Sequence, residues 1–125
     1  MYKRQYIYVK NKSMHLISEL QPGRWFGSYK QNRKAYGFEA SLVVQPDGAF
    51  SGTGQDDDIF HWNKDGFVID GRYDSSDLTI VFTKSYTNSH DVLYRGILDP
   101  NNGIYGTWTL GCASGTFTLK SKASI

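Results

Sequence analysis

The chain has 125 residues, of which 39% are hydrophobic and 15% aromatic, and its formal net charge is +2. This length favours a single domain, and so small a net charge does not by itself indicate binding to nucleic acid. No apolar run approaches the roughly 20 residues that a membrane-spanning helix needs. Charged residues also interrupt the first 20 positions, where a secretory signal would need a continuous apolar segment. We therefore expect a cytoplasmic protein without a membrane span.

Charge and cysteine usage indicate how the chain is organised. Lys and Arg are concentrated before position 35, where Glu19 is the only acid. We predict a basic extension over 1–21, one folded domain over 22–121 and a short tail over 122–125. Cys112 is the single cysteine, which excludes an intrachain disulfide and a cysteine-based metal cluster.

Apolar alternation and turn residues recur every 8–12 positions from Gly23 onward, as is typical of short antiparallel strands. The pattern predicts eight strands, near 23–31, 36–45, 48–55, 66–73, 77–86, 90–98, 103–110 and 115–121. Two hairpin turns are well marked, at Pro46-Asp47-Gly48 and at Pro100-Asn101-Asn102-Gly103.

One face of these strands is apolar and the opposite face is polar. The apolar face comprises Trp25, Tyr29, Phe38, Ala40, Leu42, Val44, Phe50, Phe67, Ile69, Tyr73, Leu78, Ile80, Phe82, Val92, Tyr94, Ile104, Trp108, Phe117 and Leu119. Short loops and the absence of a long crossover favour closure, which also removes exposed strand edges. The predicted fold is all-β, an eight-stranded antiparallel up-and-down β-barrel whose interior has room for side chains or one small ligand.

Several motifs, in their order and spacing, resemble the avidin and streptavidin family and, more broadly, lipocalin-like barrels. They are Gly23-Arg24-Trp25, then 47–52, 67–75, 86–90 and 94–96, and finally Gly106-Thr107-Trp108-Thr109-Leu110. The resemblance covers most of residues 23–119. It implies a barrel that binds a small molecule at its open end and that is a possible homo-oligomer.

The family's biotin site is only partly present at the matching positions. Trp108 is retained, and Phe82 and Tyr94 fall where the family has tryptophan. The polar contacts to the ligand fall instead on Gly27, Gly54, Asp56 and Gly115. Because each unpaired buried polar group costs about 1–3 kcal/mol, the resemblance does not imply tight biotin binding.

A second resemblance is to small bacterial β-barrel proteins, and it brings no activity with it. Their pattern falls on Gly23, Trp25, Gly27 and Tyr29, then Gly52, Gly54 and Asp56, then Lys84 and Tyr86, and a later segment over 91–96. Relative to both patterns, residues 57–64 form an inserted loop.

Lys84 continues the alternation of Leu78, Ile80 and Phe82, so the barrel prediction aims it inward or at the rim. A buried ammonium is costly unless it is paired. Lys84 could contact an anionic ligand or act as a base. It could equally keep its charge in water at the end of the strand, or pair with Asp56.

The other polar candidates carry weaker signals. Asp56, Asp57 and Asp58 lack the spacing of a calcium loop, and we interpret them as solvated rim residues. His90 begins a strand beside Asp91, but adjacent strand residues point to opposite faces. The three histidines lack zinc-ligand spacing, and no phosphate loop or G-x-S-x-G motif is present, so we expect no metal and no cofactor.

We therefore expect a non-enzymatic barrel that binds one compact ligand at its open end, without nucleic-acid or membrane partners. The predicted site residues are Tyr29, Asp56, Phe82, Lys84, His90, Tyr94 and Trp108. One alternative is an isomerase or cyclase that uses Lys84, His90 or Tyr94 as acid or base. Another is a protein- or peptide-interaction module that uses the 56–64 loop.

Overall fold

A computed structural model describes residues 20–57, 65–87, 89–99, 101 and 103–122. Eight strands follow one another in chain order: β1 (Gly23–Gln31), β2 (Lys34–Val44), β3 (Ala49–Asp56), β4 (Phe67–Asp74), β5 (Thr79–Tyr86), β6 (Asp91–Asp99), β7 (Gly103–Leu110) and β8 (Ala113–Ser121). Within these ranges no helix is long and apolar enough to cross a membrane.

The sheet is a closed barrel in which every strand pairs antiparallel with its neighbour in sequence. Closure comes from β1 and β8, which pair from Trp25 opposite Ser121 to Tyr29 opposite Phe117. The predicted eight-stranded up-and-down barrel is confirmed, and the predicted strands agree with the observed ones to within two residues.

Local turn chemistry explains how the hairpins form. Asn32 and Arg33 both adopt positive φ values, 52° and 70°, as a two-residue type I′ hairpin requires. In the next hairpin the Asp47 side chain accepts a hydrogen bond from the Ala49 amide at 3.0 Å, and Gly48 has a φ of 95°. Leu78, predicted as a strand residue, instead ends the β4–β5 turn with a φ of 64°. This correction has a physical reason, since the Asp77 carboxylate accepts the Thr79 amide and so caps the turn at the start of β5.

The barrel has two ends, which differ in the turns that they carry. The upper end carries the β1–β2 turn at Asn32–Arg33 and the β7–β8 turn at Gly111–Cys112, and it is where β3 and β5 end. The lower end carries the β2–β3 turn over 45–48 and the β4–β5 turn over 75–78. Leu20, just before β1, is buried in the core.

Aromatic rings fill the interior between these ends. Phe82 stacks on Tyr94 with ring centroids 4.7 Å apart, and Phe117 meets Tyr94 edge to face at 4.9 Å. Two glycines make room for rings of neighbouring strands. A Cβ built on Gly27 would lie 2.4 Å from the Phe38 ring, and one built on Gly54 would lie 2.5 Å from the Phe67 ring. At these two positions, where the resemblance aligns polar ligand contacts, this chain therefore has aromatic packing.

Candidate functional site

The described core contains one buried ion pair, and it lies near the upper end. Lys84 on β5 and Asp56 at the end of β3 point inward, and Lys84 Nζ lies 3.0 Å from Asp56 Oδ1. Lys84 is 0% exposed and Asp56 is 4% exposed. Strand alternation explains the placement, because both positions share the inward parity of Phe50 on β3 and Ile80 on β5.

Five aromatic rings surround the Lys84 ammonium within the range of cation–π attraction. The distances from Nζ to the ring centroids are 4.0 Å for Phe38, 4.4 Å for Phe67, 4.8 Å for Tyr29, 5.2 Å for Tyr86 and 5.8 Å for Tyr94. We call these five rings the aromatic cage. Four of them are almost completely buried, and only the Tyr29 ring is partly exposed.

Tyr86 completes a chain of hydrogen bonds with the ion pair. Its hydroxyl donates to Asp56 Oδ2 at 2.7 Å, while Lys84 donates to Oδ1 of the same carboxylate. One carboxylate thus joins an ammonium and a phenol inside an apolar wall. This arrangement can hold a positive charge away from water and pass a proton between neighbouring groups.

The surroundings shift the pKa values of these groups. Burial lowers the pKa of Lys84 to about 8, although the charge and hydrogen bond of Asp56 oppose this change. Burial also raises the pKa of Tyr86, and the hydrogen bond and charge of Asp56 raise it further. The pKa of Tyr94 is raised by burial, with smaller effects of Tyr29 and Asp56. The two phenols therefore stay neutral well above physiological pH.

The interpretation of Asp56 as a solvated rim residue is wrong. The ladder of β3 extends to Asp56, which pairs with Phe38 of β2 and therefore points inward at 4% exposure. Asp57, the next residue, is exposed. Continuing the alternation of β3 from Phe50 in steps of two residues reaches Asp56, so the pattern would have predicted that the Asp56 side chain points inward. Pairing with Asp56 was one of the alternatives predicted for Lys84, and the structure contains this pair.

The structure brings four of the seven predicted site residues together in the ion pair and the cage around it: Tyr29, Asp56, Lys84 and Tyr94. Trp108 adjoins it, with its ring 6.3 Å from that of Tyr29 and its indole N–H donating to the Lys30 carbonyl at 2.9 Å. Phe82 lies deeper, 2% exposed and stacked on Tyr94. It is part of the aromatic filling beneath the cage.

A partly exposed rim lies above the buried cluster. Tyr36 stacks on Tyr29 with centroids 5.4 Å apart, and both rings are half-buried. His90 is also half-buried, with its ring 5.0 Å from that of Tyr86 and Nδ1 2.8 Å from the Ser89 hydroxyl. His90 thus touches the cluster through Tyr86. We call Tyr29, Tyr36 and His90 the upper rim.

Sequence reasoning did not include Phe38, Phe67, Tyr86 or Tyr36 among the site residues. Phe38 and Phe67 belonged to the predicted apolar face, but alternation alone does not say which inward rings meet a charge. The signal that could have found them is the barrel register, which pairs Phe38 with Asp56 and Phe67 with Tyr86. Most of the predicted interaction loop, over 58–64, lies outside the described residues.

A different depression marks the lower part of the barrel. It has a volume of about 1050 Å³ and lies among Leu20, Gly48, Tyr73 and the outer side chains of β4 and β5. Phe82 is the one predicted site residue that lines it. Over the described part of the chain, no group of three or more His, Cys, Asp or Glu residues is placed to hold a metal ion.

Comparisons with family models, with curated proteins and with solved structures found no match to this chain. The assignment of a closed eight-stranded antiparallel barrel therefore rests on the strand pairing alone. The function has to be inferred from the side chains themselves, and the buried ion pair lies near the upper end.

Proposed function

We propose that this protein binds one compact, largely apolar small molecule at the upper end of the barrel, against the upper rim and above the Lys84–Asp56 pair. The observation that carries the proposal is the buried ion pair. Replacing such a pair with apolar side chains is often neutral or stabilising, so the pair is weak evidence for a purely structural role. Buried ionisable groups with perturbed pKa values are concentrated at functional sites.

The rim supplies the apolar contacts that such a ligand needs. Tyr29 and Tyr36 offer flat, half-buried faces, and aromatic walls with a few polar groups are typical of small-molecule sites. The resemblance to avidin-like and lipocalin-like barrels also supports ligand binding at the open end of the barrel. The aromatic rings packed against Gly27 and Gly54 argue against deep, biotin-like binding. The ligand would rest at the mouth against Tyr29, whose ring centroid lies 4.8 Å from the Lys84 ammonium.

Thermal-shift screening against a panel of small metabolites, biotin included, tests the proposal. At a ligand concentration of about 100 Kd, we expect stabilisation of about 3 kcal/mol, or a rise in Tm of roughly 10 °C. Tyr36→Ala should remove most of the shift. Tyr105→Ala, an exposed tyrosine on the outer face of β7, is the matched control and should leave the shift unchanged. A ligand that stabilises both variants equally would contradict binding at this end.

Peptide or protein binding is a second candidate function, and the filled interior favours it. Phe82, Tyr94 and Phe117 leave little space for a ligand deep in the barrel. Of the loop to which sequence analysis assigned this role, only Asp56 and Asp57 lie among the described residues. A peptide library that yields binders while the metabolite panel yields none would favour this function over the first.

A further inference from the structure

We propose that Lys84 forms a reversible imine with ligands that carry an aldehyde group, so that the upper end is a covalent site for compact aromatic aldehydes. The proposal rests on the proposed function and specifies its ligand class. Lys84 Nζ lies inside the aromatic cage and donates a hydrogen bond to Asp56, whose carboxylate also accepts one from the Tyr86 hydroxyl.

The Lys84 amine is suited to act as the nucleophile. An amine attacks a carbonyl only in its neutral form, and desolvation in an apolar pocket is a known way to increase that form. Burial brings the pKa of Lys84 to about 8, against 10.5 for an ordinary lysine. At neutral pH the neutral fraction is therefore larger by a factor on the order of a hundred.

The product would be a protonated imine, which this site can stabilise. The neutral Lys84 amine adds to the carbonyl carbon, and a proton moves from nitrogen to oxygen to give a carbinolamine. Loss of water then forms the C=N bond. Overall, one ammonium and one aldehyde give one protonated imine and one water, so the positive charge is conserved. Asp56 at 3.0 Å and the cage rings can stabilise an iminium as they stabilise the ammonium.

The groups around Lys84 can also transfer protons and admit the aldehyde. Asp56 contacts both the Lys84 amine and the Tyr86 hydroxyl, so it is placed to move the protons that addition and dehydration require. The titratable groups that face Lys84 are Asp56 of β3, Tyr86 of β5, Tyr94 of β6 and Tyr29 of β1. Tyr29 is the partly exposed ring, and rotation of its side chain would admit a flat aldehyde from the rim.

The experiment treats the full chain with benzaldehyde and sodium cyanoborohydride, which reduces an iminium to a stable secondary amine, and maps the adduct by peptide mass spectrometry. Lys30, Lys34 and Lys120 are exposed lysines that serve as internal controls. We expect labelling of Lys84 to exceed that of each control at least about tenfold, given its larger neutral fraction. Labelling should increase as the pH rises through about 8. Adducts on the exposed lysines with Lys84 unmodified would overturn the proposal.

Variants extend the test. Lys84→Met should lose the adduct, and Lys120→Met should keep it, with circular dichroism used to check that both are folded. If Lys84→Met does not fold, the wild-type peptide map still decides the question. Benzyl alcohol separates this inference from the proposed function, because it has the same ring and no carbonyl. If both compounds stabilise the protein equally and no adduct forms, the imine is refuted while binding stands. If neither compound binds or reacts, the imine is refuted, and the metabolite panel decides the proposed function.

Discussion

Ile80 and Lys84 lie four residues apart on β5, both inward-facing and both almost completely buried, yet they belong to very different surroundings. Ile80 is 1% exposed near the lower end, in an apolar core with Trp25, Leu98 and Ile104. Lys84 is 0% exposed near the upper end, among rings and a carboxylate. The same strand geometry therefore builds two halves, of which the lower is packed with apolar side chains and the upper contains an ion pair, which we expect to be less stabilising than an apolar pair of similar volume.

The largest expected effect comes from breaking the pair in the upper half. Asp56→Ala would leave the Lys84 ammonium buried without its carboxylate, and such a change costs about 3–5 kcal/mol. The double variant Asp56→Leu with Lys84→Met should recover most of this loss, because two apolar side chains of similar volume replace the pair. Urea unfolding of both variants measures the free energies. If the double variant is as unstable as the single one, the pair is a net stabiliser and the contrast between the halves is wrong.

A cavity in the lower half should be costly in a different way. Ile80→Ala removes buried methyl groups from a packed apolar site, and we expect a loss of about 2–4 kcal/mol. The loss should be the same at pH 7 and at pH 9, since none of the changed contacts titrates. An Ile80→Ala penalty that varies with pH would show that the two halves are coupled.

The pH dependence of the free energy of unfolding should be set by the upper half, through the titration of Lys84. Burial lowers the folded-state pKa of Lys84 to about 8, below the ordinary value of 10.5. Between these values the unfolded chain binds a proton that the folded chain has lost, so the free energy of unfolding increases with pH. Well below pH 8, Lys84 is protonated in both the folded and the unfolded chain, so its contribution to the free energy of unfolding does not vary with pH. From pH 8 to pH 10 the gain should be about 2 kcal/mol.

Above pH 10 the trend should reverse. The pKa of Tyr86 is raised above its ordinary 10.0, so the unfolded chain ionises first and stability falls. Unfolding in urea at a series of pH values measures the whole curve. Lys84→Met is the matched control and should show no rise in stability between pH 8 and pH 10. A rise of the same size in that variant would assign the effect to other groups.

The sequence was informative about the fold because alternation and turn residues are local signals. Phe38, Ile69 and Phe117 each show the period of two that places them inside, and Pro46-Asp47-Gly48 marks its hairpin without tertiary context. Leu78 was misplaced because its neighbour Asp77 caps the turn, and a side-chain hydrogen bond of this kind is not visible in an apolar pattern.

The candidate site was less predictable because it depends on register between strands distant in sequence. Alternation placed Lys84 inward, and it would have placed Asp56 inward had β3 been extended by one residue. The aromatic cage could not be found in this way, since its rings come from β1, β2, β4, β5 and β6. Which inward residues share a level depends on how the strands tilt around the barrel.

The smallest expected effect concerns the Tyr86 hydroxyl. Tyr86→Phe keeps the ring of the aromatic cage and removes the donor that lies 2.7 Å from Asp56 Oδ2. Because the carboxylate is charged and buried, the lost hydrogen bond should cost about 1.5–3 kcal/mol, with the lower value expected since Lys84 still donates to Oδ1. Tyr105→Phe, on the exposed outer face, is the matched control and should change stability by less than about 0.5 kcal/mol. Unfolding of both variants in urea at pH 7 provides the comparison. If Tyr86→Phe is as stable as Tyr105→Phe, the hydrogen bond from Tyr86 to Asp56 does not stabilise the protein. The relevant polar contact of the upper half would then be the Lys84–Asp56 ion pair.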